Sequence, residues 1–459
     1  MGLNREQIVA RCDLLKNTYQ TKTVLNFTPS IRTPMIMQLD RTTPPAFRTI
    51  QTVQFPTPQH VTLDNGQPLY VVNVGEQPVV RIEVLFEAGT WHEDVEGASF
   101  FGVKMLTEGT KKRTSAQISG HFDQIGAFVD LSHTPDRANI LVYGLTKHLG
   151  AILEMVSELI HEAAYPEKEF NDLRTISLQN LRINLEKNAY LATTTFKERL
   201  FGVAHPYGKN QNDKAIKALT VEDLQNFYTN RIKARPFRVF LSGQVGEAEV
   251  ALVNRYLGQH TIEAPAEVNR SFEIVPQPDS LWVEKAEAVQ SSIRIGRTLF
   301  KRQHPDFYRM IVANEILGGY FGSRLMRNIR EEKGFTYGIS SSIVPMRQAG
   351  YWVIGTDVKK EFAQATLDEI QKEIYRLQTE PVPENELETV KNYLAGEFAG
   401  SLNTPFEIAD RVRLMVLEGL DVEFYSNYIQ RLRVVTAEDI QKIANQYWQR
   451  EDLRQVIVG

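Results

Sequence analysis

LTVEDLQNFYTNRIKARPFRVFLSG, residues 219–243, returns 216 positions later as VTAEDIQKIANQYWQREDLRQVIVG, residues 435–459. Each copy opens with a threonine suited to cap a helix and an aspartate three residues on, Thr220 with Asp223 and Thr436 with Asp439. Apolar residues at helical spacing follow, then a tyrosine, a charged turn and a short β-rich run. A second echo pairs RIEVLFEAG (81–89) with SIRIGRTLF (292–300) at a similar offset. Two echoes in one order imply a duplicated domain rather than a chance helix and strand. The boundary falls in IEAPAEVNRSFEIVPQPDS (262–280), where three prolines break the periodicity. The reading is therefore a 1–50 extension, a first domain over 51–262, a linker over 263–280 and a second domain over 281–459.

The remaining patterns fill in the class. VTLDNGQPLYVV (61–72) reads as a hairpin turning at Asp64-Asn65-Gly66. Strands follow at 80–87, 127–132 and 138–144, with helices at 97–107, 115–125, 147–163, 167–187 and 221–230. The second half adds helices near 305–318, 322–332, 361–378, 384–400, 406–418 and 437–448. Hairpins mixed with long helices imply an α+β class, with a mostly antiparallel sheet packed with helices in each domain.

Composition narrows the partners. The chain has 459 residues, 42% hydrophobic and 24% charged, in the range of globular proteins. A formal charge of -4 supplies no electrostatic reason to expect nucleic acid or an anionic membrane. No apolar run reaches the roughly 18 residues of a membrane span. One cysteine, Cys12, excludes an internal disulfide and a Cys-based zinc site. The N-terminus has no continuous apolar segment of a signal peptide, which favours the cytoplasm. A start at Met35 or Met37 would leave the periplasm open.

Four segments then carry a resemblance. GTWHEDVEGASFFGVKMLTEGT (89–110), GAFVDLSHTPD (126–136), HPYG (205–208) and REEKGFTYG (330–338) together resemble the pitrilysin/insulinase metallopeptidases. The two-domain processing-peptidase type is the nearest form, and the resemblance runs from about residue 55 to the C-terminus. It implies two homologous domains forming half of a clamshell. Active members carry His-x-x-Glu-His just before a Gly-Thr pair, two histidines on one helix face holding zinc and a glutamate polarising water. Counted back from Gly109-Thr110, those positions hold Phe100, Val103 and Lys104. The third ligand position falls at Asn180. A lysine ammonium about 4 Å from a dication is repelled by roughly 8 kcal/mol at an effective dielectric near 20. The resemblance therefore implies no metal on this chain.

No two of the nine histidines lie within five positions of one another. His161-Glu162-Ala-Ala-Tyr165 has a tyrosine where a zinc helix needs its second histidine, and is read as a helix-end histidine favoured by the dipole.

The family's second substrate element is retained. An arginine and a tyrosine seven residues apart stand here as Arg330 and Tyr337. Arginine offers planar donors to a peptide carbonyl, and a tyrosine hydroxyl can donate to a developing oxyanion. Leu317-Gly318-Gly319-Tyr320-Phe321-Gly322-Ser323 reads as a substrate-contacting loop or a plain helix–helix turn. Residues 127–134 align with the strand on which family enzymes dock extended peptides, although Asp130 and Leu131 depart from the usual Asn-Ala.

The resemblance implies a noncatalytic subunit of a heteromeric zinc metallopeptidase, its zinc carried by a homologous partner and its substrate a peptide. A purely structural assembly protein and a peptidase with an unrecognised metal site stand as alternatives.

Overall fold

The computed structural model describes residue 42 and residues 49–263, 270–277 and 280–459. Residues 1–41, with Cys12, and 43–48 of the N-terminal extension, and residues 264–269 and 278–279 of the linker, lie outside the described residues. Thr49–Gly459 forms one compact unit holding two sheets.

In the first half, β1 (Gln59–Thr62) and β2 (Pro68–Asn73) form the expected hairpin, with Gly66 at φ 81° where a side chain would strain the turn. β3 (Val79–Phe86) leads through a short turn to α1 (Ala98–Lys104) and α2 (Ser115–Gln124). The hairpin β4 (Phe128–His133) and β5 (Ala138–Leu145) follows. Helices α3 (Leu149–Glu162), α4 (Glu167–Glu186), α5 (Asn188–Phe201), α6 (Asp213–Ala218) and α7 (Val221–Arg231) lead to β6 (Phe237–Gly243) and α8 (Glu247–Leu257).

The second half runs β7 (Ser280–Val283), β8 (Gln290–Leu299) and α9 (Phe307–Asn314). Two π-helical turns, Glu315–Gly319 and Met326–Glu332, precede β9 (Thr336–Pro345) and β10 (Gly350–Lys359). Then come α10 (Ala363–Thr379), α11 (Glu384–Gly400), α12 (Pro405–Glu418), α13 (Val422–Ser426), α14 (Tyr428–Arg433), α15 (Ala437–Tyr447) and β11 (Arg454–Val458).

The two sheets have one plan. Their orders are β1-β2-β6-β3-β5-β4 and β7-β11-β8-β10-β9. In each, the strand of the repeated segment is parallel to one neighbour (β6 on β2, β11 on β7) and antiparallel to the other (β6 on β3, β11 on β8). Both repeated helices are closed by reciprocal Thr–Asp capping boxes, as their sequences imply. By this correspondence the edge strands β4 and β9 are counterparts.

Each half lends a helix to the other. Ala192, Phe196, Leu200 and Phe201 of α5 pack with Val456 and Val458 of β11 in the second sheet. Conversely, α12 lies on the first sheet. Arg81 and Glu83, two apart on β3 and so on one face, are buried there. Arg81 donates to Glu83 at 2.9 Å and to Asp410 at 2.7 Å, while Arg413 donates to Glu83 at 2.8 Å. Asn139 Nδ2 also donates to Glu83, at 2.7 Å. The charges are thus both paired and hydrogen-bonded, the condition under which ions are tolerated in an interior.

Candidate functional site

Helix α1 begins at Gly97, whose φ of 90° lets the chain turn into the helix. Glu93 closes the exposed amides of its first turn: Oε2 accepts from Gly97 N at 3.1 Å, Ser99 N at 3.3 Å and Ser99 Oγ at 2.7 Å. The Ser99 hydroxyl thereby spends its one proton on Glu93. His133 Nε2, 2.8 Å from Ser99 Oγ, is then the donor. Burial first, and the nearby Lys104 ammonium second, push the His133 pKa down to about 4.

The three metal-motif positions are committed to packing. Phe100 stands edge-on to Phe101 and His133. Val103 is fully buried in the core of the first half. Lys104 reaches along β4, and its Nζ donates to the Leu131 carbonyl oxygen. Gly102, between them, brings α1 onto α7: a Cβ there would lie 2.7 Å from Phe227. On α4, Asn180 is exposed, and the next residue, Leu181, is the one that turns into the core. None of Phe100, Val103, Lys104 or Leu181 offers a metal the lone pairs of a histidine or carboxylate. Among the described residues, no group of three or more His, Cys, Asp or Glu is placed to hold a metal ion.

A groove of about 500 Å³ runs beside β4, with Lys104 at its floor, Phe122 and Asp123 on one wall and Phe128 exposed on the strand. Residues 127–134 therefore lie at a sheet edge with open space beside them.

His161 ends α3 as the sequence implies, but the dipole reading requires correction. Its ring stacks on His260 with centroids 3.7 Å apart, and burial followed by the His260 and Lys233 charges lowers its pKa to about 4. It is neutral at pH 7 and carries no charge for the helix dipole to stabilise. Tyr165 turns elsewhere and donates to Gly102 O at 2.7 Å.

In the second half, Arg330 and Tyr337 meet. Arg330 leaves the second π-helical turn and its Nε donates to Tyr337 O at 3.0 Å. Its guanidinium lies 4.6 Å above the Phe321 ring, within cation–π range. Tyr337 is the second residue of β9 and is 95% exposed, and Phe321 is 63% exposed. The glycine-rich loop is held by Arg327 Nε donating to Gly322 O at 2.8 Å. Gly318 is close enough to β9 that a Cβ would meet Ser341 N at 2.9 Å. Phe321 is the member of this cluster that spacing left unassigned. An aromatic flanked by glycines in a loop was the available signal.

Two family models match this chain. Residues 70–201 match the insulinase family, peptidase family M16, and residues 218–394 match the peptidase M16 inactive domain. Together they span more than half of the chain. It belongs to the M16 peptidase family. Within this family, a zinc protease of Bacillus subtilis described as uncharacterized is 20% identical over 347 residues, 75% of this chain and 84% of the relative. Subunit beta of the mitochondrial-processing peptidase of Rattus norvegicus is 22% identical over 422 residues, 85% of this chain and 82% of the relative. The fold is shared with a protease of Helicobacter pylori, at a TM-score of 0.81 and 18% identity, covering 88% of this chain and 100% of that one. It is also shared with a peptidase M16 inactive domain from Pseudomonas fluorescens, at a TM-score of 0.77 and 23% identity, covering 88% and 98%. This M16 chain thus has two sheets of one plan, and among its described residues no group of three or more His, Cys, Asp or Glu is placed to hold a metal ion.

Proposed function

We propose that this chain is the zinc-free subunit of a two-chain peptidase, pairing with a zinc-bearing homologue and presenting Arg330 and Tyr337 to a bound peptide. The observation that carries the reading is selective. The metal-motif positions are absorbed into packing, while Arg330, Tyr337 and Phe321 are assembled at the surface. A residue needed only for packing is not held 95% exposed beside a supported arginine.

Each group has a separate task. The bond from Nε to the Tyr337 carbonyl fixes the Arg330 plane, and its terminal nitrogens, with Nη1 in a long 3.9 Å ion pair to Glu331, can donate to peptide carbonyls. The Tyr337 phenol can donate to the same chain, and Phe321 supports the guanidinium from below. A charge-assisted hydrogen bond of this kind is worth about 1.5–3 kcal/mol. Zinc, held by the partner, would supply the activated water. The processing-peptidase relative is by name one subunit of a peptidase, and the proposal extends that organisation to this chain.

Co-expression with a zinc-bearing M16 homologue tests the pairing. The expected result is a stable heteromer whose peptidase activity exceeds that of either chain alone. A chain that elutes separately from an active homologue would end the proposal. A second reading, assembly without substrate contact, draws on Lys104, whose ammonium already occupies a carbonyl of β4. It predicts a stable complex whose turnover ignores Arg330.

A further inference from the structure

Between α5 and the outward face of the second sheet lies a cavity of about 290 Å³. Its floor is a register row across three strands: Arg294 on β8, Gly355 on β10 and Ser340 on β9. Thr193, Phe196 and Lys197 of α5 form the wall. The cavity therefore exists because the first half lends its helix to the second sheet. Gly355 keeps it open, since even a Cβ there would rest against the Arg294 side chain at 3.5 Å.

The charges in this cavity are not balanced. Lys197 has no hydrogen bond or ion pair among the described residues, and burial lowers its pKa. Arg294 spends Nε on Thr193 Oγ1 at 3.1 Å and Nη1 on the carbonyls of Ile293 and Thr356 at 2.8 and 3.4 Å. Its acidic neighbour, Asp357, is 3.9 Å away and about half exposed. Burial outweighs that aspartate and lowers the Arg294 pKa as well. Two cations have lost hydration around a space that holds less negative charge than positive, which is the setting that favours a bound anion.

The lining also has an apolar part. Phe196, Tyr351 and Val353 face the same space as the cations. An inorganic anion would leave that surface unused, whereas the last residue of a peptide carries a carboxylate and an apolar side chain together. Gly338, Ser340 and Ser342 of β9 line the cavity, and β9 is the edge strand whose second residue is Tyr337. We propose that this cavity holds the C-terminal carboxylate of a bound peptide, with Lys197 and Arg294 as its donors and the apolar wall against the terminal side chain.

The proposal rests on the reading of this chain as a peptide-handling subunit, but its test requires neither the partner nor proteolysis. Fluorescence anisotropy of the isolated full chain is measured with a hexapeptide of alanine and leucine labelled with fluorescein at its N-terminus. The free acid is expected to bind at least about tenfold more tightly than the C-terminal amide. Lys197→Met should abolish that difference, and Lys197→Arg should retain most of it. Because Lys197 is an unpaired half-buried charge, Lys197→Met should melt no lower than the parent, which separates lost binding from lost folding. Equal binding of acid and amide, or no binding of the acid, overturns the proposal. So does an amidated peptide with an internal glutamate that binds as tightly as the free acid, because the terminus is then not what is recognised.

Discussion

Arg330 Nε donates to the carbonyl oxygen of Tyr337 at 3.0 Å, so the side chain of one residue holds the backbone of the other. The bond orients the guanidinium and leaves the phenol free, which makes the two residues one unit rather than two independent surface groups.

Arg330→Ala and Tyr337→Phe should therefore act on turnover and hardly on folding. In a heteromer with a zinc-bearing homologue, Arg330→Ala is expected to lower kcat/KM by about 10- to 100-fold, the range for one charge-assisted hydrogen bond. Tyr337→Phe should leave the Tm unchanged, since the hydroxyl is in solvent. Steady-state kinetics and thermal melts check both. Unchanged kinetics for both variants would favour the assembly-only reading.

Restoring the motif should not restore the metal. Phe100→His with Lys104→His supplies at most two donors, because α4 turns Leu181 and not a carboxylate toward the core. Elemental analysis of that double variant should find less than stoichiometric zinc. Val103→Glu should cost at least about 2 kcal/mol in urea unfolding, since it puts a carboxyl into a fully buried apolar site.

Three histidines should make the fold acid-labile. The pKa values of His92, His133 and His161 are lowered from 6.5 to about 4, in each case by burial first. The unfolded chain binds more protons than the native one between these limits. The stability contributed by the neutral rings is complete above about pH 6.5 and is lost as pH falls through about 4. Urea midpoints should decline across that window. His161→Phe, which keeps a ring against His260, should make the decline shallower.

Glu315 has the opposite sign. Burial, reinforced by Glu397, raises its pKa from 4.5 to about 7, so the native state loses stability as pH rises from 4.5 to 7. Glu315→Gln should stabilise the chain by about 1–3 kcal/mol at pH 8. At pH 4 the same substitution should be close to neutral. A gain of equal size at both pH values would point to packing rather than ionisation.

The repeated segment was legible because its signals are local. A threonine cap, an aspartate three residues later and helical spacing are complete within one short stretch, and both copies fold accordingly. The hairpin at Asp64-Asn65-Gly66 and the helix over 384–400 were legible for the same reason. Helices α5, α6, α8, α13 and α14 were not read from the sequence. Of these, α5 has apolar positions that serve two halves at once, which blurs a single amphipathic stripe.

The candidate site divides along the same line. That Phe100, Val103 and Lys104 offer no zinc donor set follows from side-chain chemistry and holds in any fold. Where Lys104 finds a carbonyl, which way Asn180 faces and why His133 is neutral depend on neighbours on other elements. The repeated segment and the lack of zinc donors at Phe100, Val103 and Lys104 were legible in the sequence alone, because repeats and donor atoms are properties of the chain. Tertiary structure decided that α5 and α12 cross between the halves, that Phe321 joins Arg330 and that Lys197 faces a cavity with no ion-pair partner of its own among the described residues. Those are matters of distance between residues far apart in the chain, and only packing brings them together.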